Sequence, residues 1–376
     1  MLSRGFIVGD RILGLSADSH ADWCAAYGQR GQYRFVGASA IGKLHLREDR
    51  PRDDAFAIRT AGPWLAVAVS DGVGSRQHSR YGSSFAVEAL CEHLLREALG
   101  IASSRQQLAE KQPTAQQNDK PVQKEAETKP HQSGWLSSLI GRFLTPQREQ
   151  ITLPVAFEVP SLIPPSDEQT IACGTLVWYL PPAQKPRKEM SNEPQSTSVV
   201  DEEAIRHAFR RTWSDLEQFA LLRGFQLRDL HCTLLGMLLN TETGAVAAGH
   251  IGDGLIAALH PGLGAYPIVE APTPSEVGET YVFTQSNWEE HLAVRVLSPE
   301  EAAGITTFYL MTDGVADDCT HPPPEDIFQR WAKDIDREMR KEEPLPQKAT
   351  RLLRWLATYE VRGSWDDRTL VVVMKI

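Results

Sequence analysis

Apolar runs that are interrupted by polar turns set the organisation of this chain of 376 residues. Five of these runs are short, rich in β-branched or large apolar side chains, and bounded by turn-forming residues, which is typical of buried strands. Apolar residues at helical spacing instead predict helices elsewhere, with Pro344 and Pro346 dividing the last helical region into two. The predicted strands are 64–70, 231–240, 245–251, 306–312 and 369–375, and the predicted helical regions are 79–100, 202–222 and 325–359.

The order of these elements favours one fold class over another. Pairs of strands are followed by helices and then by strands again, and helices seldom alternate one-for-one with strands. This order predicts an α+β fold with largely antiparallel sheets and argues against a doubly wound parallel sheet. Residues 1–34 have weak periodicity and are predicted to be an N-terminal extension to a single domain of residues 35–376.

Two stretches inside that domain differ from the rest in composition. Residues near 103–165 and 181–199 are rich in polar residues and proline, so we predict disordered insertions. Residues 135–145 within the first insertion are amphipathic and are predicted to dock on the domain or on a partner.

Charge, cysteine content and hydropathy exclude several classes of protein. The net charge of −10 argues against a nucleic-acid-binding protein, which needs a basic face. The five cysteines are far apart and form no CxxC pair, so we expect reduced thiols in a cytoplasmic protein. Asp10 and Arg11 interrupt the N-terminal apolar run, and no run approaches the roughly 18 residues that span a bilayer. Neither a secretion signal nor a membrane segment is predicted.

Acidic turns recur beside the predicted strands. Because carboxylates at the ends of neighbouring strands can converge, they would repel one another unless a cation bound them, and Mg²⁺ and Mn²⁺ prefer such oxygen ligands. A single Asp-Gly pair is usually only a turn. The residues alone therefore leave open both a metal site and a set of ordinary turns, at Asp53-Asp54, Asp71-Gly72, Gly252-Asp253-Gly254, Asp313-Gly314 and Asp366-Asp367.

The ordered set of motifs resembles the metal-dependent protein phosphatase 2C family. It is most similar to the bacterial branch that carries a Gly-Lys-x-His segment before the first Asp. The resemblance covers roughly residues 35–100 and 165–376, and it depends on the motifs occurring together and in order. The matching segments are 42–45, 54–55, 70–74 with 82–83, 232–235, 249–254, 311–317 and 366–373.

The resemblance implies a β-sandwich of two mainly antiparallel sheets flanked by helices, with two Mn²⁺ or Mg²⁺ ions at one edge. It implies that Asp54, Asp71, the carbonyl of Gly72, Asp313 and Asp366 are metal ligands and that Asp71 bridges both ions. It further implies a third ion in some members, at positions matched by Asp253 and Asp317 together with Asp313.

The resemblance also implies direct attack of a metal-activated water on phosphoserine or phosphothreonine of a protein substrate, opposing a cognate Ser/Thr kinase. His45 is a candidate general acid or phosphate contact, and Arg47 is a candidate phosphate contact. Arg50 and Arg52 lie close by in sequence, so the choice among the three arginines stays open.

This chain departs from the family pattern in two places. Arg52-Asp53 stands where the family usually has Asn followed by Gln or Glu, and Asp367 replaces the usual Asn after the last ligand. These departures keep two alternatives in view. One is a regulatory pseudophosphatase that binds a partner, and the other is a phosphatase that acts on small metabolites.

Overall fold

The computed structural model describes residues 5–9, 22–100, 173–176, 200–270, 280–320, 325–361 and 363–376. The predicted insertions near 103–165 and 181–199 lie outside the described residues. Between them, the structure describes a short strand at residues 173–176. No helix within the described ranges is long and apolar enough to span a lipid bilayer.

Thirteen described strands form two sheets in which every neighbouring pair is antiparallel. The larger sheet has the order β10-β9-β12-β13-β3-β2-β1-β6, and the smaller sheet has the order β11-β8-β7-β5-β4. The strands are β1 Gly5–Gly9, β2 Trp23–Arg30, β3 Tyr33–Ala40, β4 Ala55–Ala61, β5 Trp64–Ser70, β6 Cys173–Leu176, β7 Leu234–Asn240, β8 Val246–Ile251, β9 Leu255–His260, β10 Gly264–Pro267, β11 Ala293–Leu297, β12 Thr307–Met311 and β13 Arg368–Lys375.

Five of the six described α-helices cover the outer faces of the sheets. The helices are α1 Lys43–Glu48, α2 Ser79–Ala98, α3 Glu202–Arg223, α4 Asp313–Thr320, α5 Glu325–Arg340 and α6 Leu345–Thr358, with short 3-10 helices at Leu227–Leu230 and Trp288–His291. Helices α2 and α3 pack on the smaller sheet, and α4, α5 and α6 pack on the larger one. A third apolar cluster fills the space between the sheets. The predicted α+β sandwich is confirmed.

Strand β5 shows why the sequence builds three apolar layers. Leu65, Val67 and Val69 belong to the cluster between the sheets, whereas Ala66 and Ala68 belong to the cluster beneath α2 and α3. Successive side chains of a strand point to opposite faces, so a strand that is covered on both faces is apolar throughout. The small alanines let the helices approach the sheet closely. Strand β13 repeats this pattern on the larger sheet.

The N-terminal boundary differs from the sequence expectation. Strand β2 lies within the predicted extension, yet it pairs with β3 over its whole length, from Trp23 opposite Ala40 to Arg30 opposite Tyr33. The boundary predicted between residues 34 and 35 therefore falls inside β3. The strand signal of β2 is weak because its centre consists of small residues such as Ala25, which carry little β-propensity.

Candidate metal centre

The acidic turns predicted from the sequence meet at one end of the sandwich. Asp54 precedes β4, Asp71 follows β5, Asp313 follows β12 and Asp366 lies two residues before β13. Carboxylate oxygens of Asp71, Asp253 and Asp313 lie within 4.8 Å of one another. The ends of strands from both sheets thus bring together residues that are far apart in sequence. We call them the acidic group: Asp54, Asp71, Asp253, Asp313 and Asp366.

Asp54 is anchored from two sides of this group. Its Oδ2 accepts hydrogen bonds from the hydroxyls of Thr312, at 2.8 Å, and Thr369, at 2.7 Å. These bonds join the beginning of β4 to the end of β12 and the beginning of β13. Complete burial, reinforced by the charge of Asp367, raises the pKa of Asp54 to about 7 even though the two hydroxyls favour the ionised form.

Asp71 lies at the centre of the acidic group. Its backbone is fixed by Thr233, whose hydroxyl accepts from the Asp71 N–H at 2.9 Å and whose own N–H donates to the Asp71 carbonyl at 2.8 Å. Burial first, and then the charges of Asp313, Asp54 and Asp366, raise the pKa of Asp71 well above its usual value. The largest charge effects on Asp71 all come from other carboxylates.

The position after Asp71 requires glycine for close packing. A Cβ on Gly72 would lie 2.8 Å from the carbonyl oxygen of Asp53 and 2.9 Å from the backbone of Ser79. Gly72 also forms an isolated antiparallel bridge with Cys232. The backbone of Gly72 can therefore approach the acidic group in a way that a larger residue would prevent.

These donors fit hard dications. Burial raises the pKa of Asp313 well above its usual value, with further contributions from Asp253, Asp366 and Asp54, and burial together with Asp367 also raises the pKa of Asp366. Each ionised carboxylate disfavours ionisation of the others, and a bound divalent cation would offset this repulsion. Oxygen donors of this kind suit Mg²⁺ or Mn²⁺.

The two residues assigned to a third ion lie in different surroundings. Asp253 is exposed, belongs to the acidic group and accepts a hydrogen bond from the hydroxyl of Thr280. Asp317 is exposed on α4, one turn after Asp313. It is absent from both tight groups of potential metal ligands found in the described part of the chain.

A second group, which we call the His45 network, lies beside the acidic group. Asp367 is 1% exposed and accepts hydrogen bonds from the Gly42 N–H at 2.6 Å, the Asp53 N–H at 2.6 Å and His45 Nδ1 at 3.0 Å. Although burial acts in the opposite direction, these donors lower the pKa of Asp367. For His45, burial acts to lower the pKa, but the hydrogen bond to Asp367 and the charge of Asp367 outweigh it and raise the pKa.

The structure places the three candidate arginines in different environments. Arg47 is exposed on α1, and Arg52 is buried at 3% exposure. The guanidinium of Arg50 donates to the carbonyl of Gly74 and to Asp53 Oδ2, the latter at 3.2 Å. Among the three, Arg50 is therefore held beside the turn that carries Asp71. Burial raises the pKa of Asp53 to about 6, against the effects of the His45 and Arg50 charges.

Sequence analysis missed a network that supports Asp366. Asp318 Oδ2 accepts from the Tyr359 hydroxyl at 2.6 Å and from Ser364 Oγ at 2.8 Å. The guanidinium of Arg368 lies 3.9 Å from the centre of the Tyr359 ring. These contacts hold the segment before Asp366 against α4. Nothing local in the sequence distinguishes Asp318 from its neighbour, because its partners lie about 40 residues away.

Comparison with known families agrees with this architecture. The family model described as Protein phosphatase 2C matches residues 41–138 and 170–357, which is more than half of the chain. The chain belongs to the protein phosphatase 2C family. No curated protein matches its sequence significantly.

The solved structures that match this chain are distant in sequence. A bacterial serine phosphatase is 12% identical, with a TM-score of 0.44 over 92% of this chain and 98% of that chain. A serine/threonine phosphatase of S. agalactiae is 10% identical, with a TM-score of 0.42 over 92% and 100%. A C. elegans sex determining protein is 11% identical, with a TM-score of 0.45 over 91% of this chain, which spans 64% of that protein.

Proposed function

We propose that this protein hydrolyses phosphoserine and phosphothreonine in protein substrates and thereby opposes a Ser/Thr kinase in the cytoplasm. The observation that carries the proposal is the convergence of Asp54, Asp71, Asp313 and Asp366 at the ends of strands from both sheets. Membership of the protein phosphatase 2C family supports the same reaction.

The proposed ligands are the residues of the acidic group together with the Gly72 carbonyl and Asp317. Asp54, Asp71, the Gly72 carbonyl, Asp313 and Asp366 would hold two Mn²⁺ or Mg²⁺ ions, and Asp253 with Asp317 would contribute to a third. When bound, such ions activate a water for in-line attack on phosphorus and offset the negative charge of the phosphoryl group. Thr312 and Thr369 keep the Asp54 carboxylate in a fixed orientation for this task.

The cysteines fit a mechanism that has no covalent phosphoenzyme. Burial raises the pKa of Cys232 and of Cys319 to about 12, so both thiols stay protonated at neutral pH. Because the thiolate is the nucleophilic form, neither side chain is suited to attack phosphorus. The state of these two thiols is consistent with an activated water as the proposed nucleophile.

The proposal is tested by turnover with a generic phosphoester and with phosphopeptides. Purified protein should hydrolyse p-nitrophenyl phosphate with Mn²⁺ and lose this activity in EDTA. The value of kcat/KM should be higher for phosphoserine and phosphothreonine peptides than for small phosphorylated metabolites. A higher kcat/KM for small phosphorylated metabolites would favour the metabolite phosphatase. Absence of turnover by folded, metal-saturated protein would overturn the enzyme proposal in favour of a regulatory pseudophosphatase.

We expect Arg50→Ala to raise KM for a phosphopeptide by about tenfold or more, since a hydrogen bond to a charged group contributes about 1.5–3 kcal/mol. Arg47→Ala is the matched control because Arg47 is exposed on the same segment, and its KM should change by less than about twofold. Initial rates over a range of peptide concentrations give both values. The opposite ranking would assign the phosphate contact to Arg47, one of the three arginines among which the sequence leaves the choice open.

A further inference from the structure

The most completely bonded carboxylate near the candidate centre is Asp367, which is not among the proposed ligands. Its Oδ1 accepts from the backbone N–H of Gly42, and its Oδ2 accepts both from the backbone N–H of Asp53 and from His45 Nδ1. One buried side chain thus joins the beginning of α1, the turn before β4 and the imidazole of His45.

The contact with Asp367 determines how the His45 ring is oriented. A carboxylate oxygen accepts hydrogen bonds, so Nδ1 carries a hydrogen towards Asp367 and Nε2 is the ring nitrogen left for other partners. Nε2 lies 3.8 Å from Asp53 Oδ2. A Cβ built on Gly74 would lie 3.7 Å from Nε2 and 3.7 Å from a guanidinium nitrogen of Arg50, with no other atom closer.

These distances define an opening beside Gly74. It is bordered by His45 Nε2 and the Arg50 guanidinium, and Gly74 itself is exposed. Gly74 follows Asp71 by three residues, so the opening adjoins the acidic group. An anionic substrate group that reached the centre by this route would meet a ring nitrogen and a guanidinium.

We propose that Asp367 is a positioning residue that acts through His45, fixing the hydrogen on Nδ1 and aiming Nε2 at the substrate in the opening beside Gly74. The inference rests on the proposed function and extends it, because the role belongs to a carboxylate in place of the family's usual Asn. An Asn has one acceptor oxygen, whereas Asp367 uses both of its oxygens for three donors.

A competing possibility is that His45, Asp366 and Asp367 together bind a cation, since one potential ligand atom of each lies within 4.8 Å of the others. The hydrogen bonds argue against this for Asp367. Both of its oxygens already face N–H donors at 2.6–3.0 Å, so a cation at Asp367 would have to displace them. Among the described residues, Asp366 Oδ1 in contrast accepts a hydrogen bond only from the N–H of its neighbour Asp367, at 2.8 Å.

The test combines NMR with kinetics. Two-bond ¹H–¹⁵N correlations of the His45 ring in metal-free wild type should show hydrogen on Nδ1, and Asp367→Asn should lose this preference. For Mn²⁺-dependent hydrolysis of a phosphopeptide, Asp367→Asn should lower kcat by about 10- to 100-fold, by analogy with the loss seen when partners that orient metal-binding histidines are removed. KM should change by less than about threefold.

Coupling between the two residues separates positioning from a structural role. If Asp367 acts through His45, adding Asp367→Asn to His45→Gln should cost less than about threefold more in kcat, whereas independent effects would multiply. Asp334→Asn is the matched control, since Asp334 pairs with Arg337 at the surface, and it should leave kcat and the ring spectrum unchanged.

Two results would overturn the inference: multiplicative losses in the double variant, or a wild-type ring with hydrogen on Nε2 alone. The second needs no variant and stands even if Asp367→Asn fails to fold. Mn²⁺ titration by calorimetry adds a further arm, because a loss of one bound ion in Asp367→Asn would assign Asp367 to a metal instead. Wild type without turnover would refute the proposed function, and the NMR result would still decide the contact between Asp367 and His45.

Discussion

Asp71→Asn is expected to abolish Mn²⁺-dependent hydrolysis while making the metal-free protein more stable. Loss of the proposed bridging ligand should remove several kcal/mol of transition-state stabilisation, which corresponds to a fall in kcat/KM on the order of 1000-fold. The gain in stability is expected because partial burial and the neighbouring carboxylates raise the pKa of Asp71 well above its usual value.

The direction of the stability change follows from proton linkage. A carboxyl group whose pKa is higher in the folded protein than in the unfolded chain holds more protons when folded. Its favourable contribution is complete below the unfolded pKa, near 3.8, and is lost as pH rises through the folded pKa. Metal-free wild type should therefore lose free energy of unfolding as pH rises above about 4, and the fall should be shallower in Asp71→Asn.

Thermal unfolding between pH 4 and pH 8, in EDTA and in Mn²⁺, measures both effects. Wild type should gain about 2.7 kcal/mol when Mn²⁺ is present at 100 times its dissociation constant, and Asp71→Asn should lose most of this gain. Asp334→Asn controls for the removal of one surface carboxylate. A variant that is less stable than wild type in EDTA at pH 7, or one that still turns over, would contradict the assignment of Asp71.

Local signals in the sequence located the acidic turns, and the family resemblance implied that they form a metal site. Asp71 and Asp313 directly follow apolar runs, and both are followed by glycine, so their positions at strand ends could be inferred from neighbouring residues. Convergence follows because antiparallel strands of two packed sheets end together. Apolar runs such as β5 and β13 predicted buried strands in an α+β fold with largely antiparallel sheets, and the resemblance implied that these sheets form a sandwich.

Other features depend on contacts between distant residues and carry no local signal. The position of Arg50 beside the turn that carries Asp71 depends on the carbonyl of Gly74, 24 residues away. The contact between Asp367 and His45 spans 322 residues. Strand β2 was missed because its centre is made of small residues, and only pairing with β3 shows it to be part of the larger sheet. Long-range hydrogen bonds therefore account for most of what the sequence did not predict.

Gly314→Ala is expected to separate two halves of the acidic group. A Cβ at Gly314 would lie 1.9 Å from the backbone oxygen of Asp367 and 3.5 Å from the Cβ of Asp366. Gly314 is in the first turn of α4, next to Asp313, so the steric clash must push α4 away from the turn that carries Asp366. Backbone atoms on both sides leave no flexible side chain to move aside.

The expected loss of stability is about 3 kcal/mol or more, the upper end for overpacked cores, with a fall in the unfolding midpoint of about 5 °C or more. Alanine is the better helix former by about 1 kcal/mol, so local helix propensity opposes this loss and cannot cause it. Mn²⁺ affinity should fall as well, because Asp313 and Asp366 can no longer approach the same ion.

Gly74→Ala provides the matched substitution at the same centre. Its Cβ would meet no atom closer than 3.7 Å, which is ordinary van der Waals contact. Its unfolding midpoint and Mn²⁺ affinity, measured by thermal unfolding and calorimetry, should therefore stay near those of wild type. If both alanine variants bound Mn²⁺ like wild type, close packing of α4 against the Asp366 turn would not be what holds the acidic group together. If only Gly314→Ala lost the ion, that packing would be a requirement for metal binding.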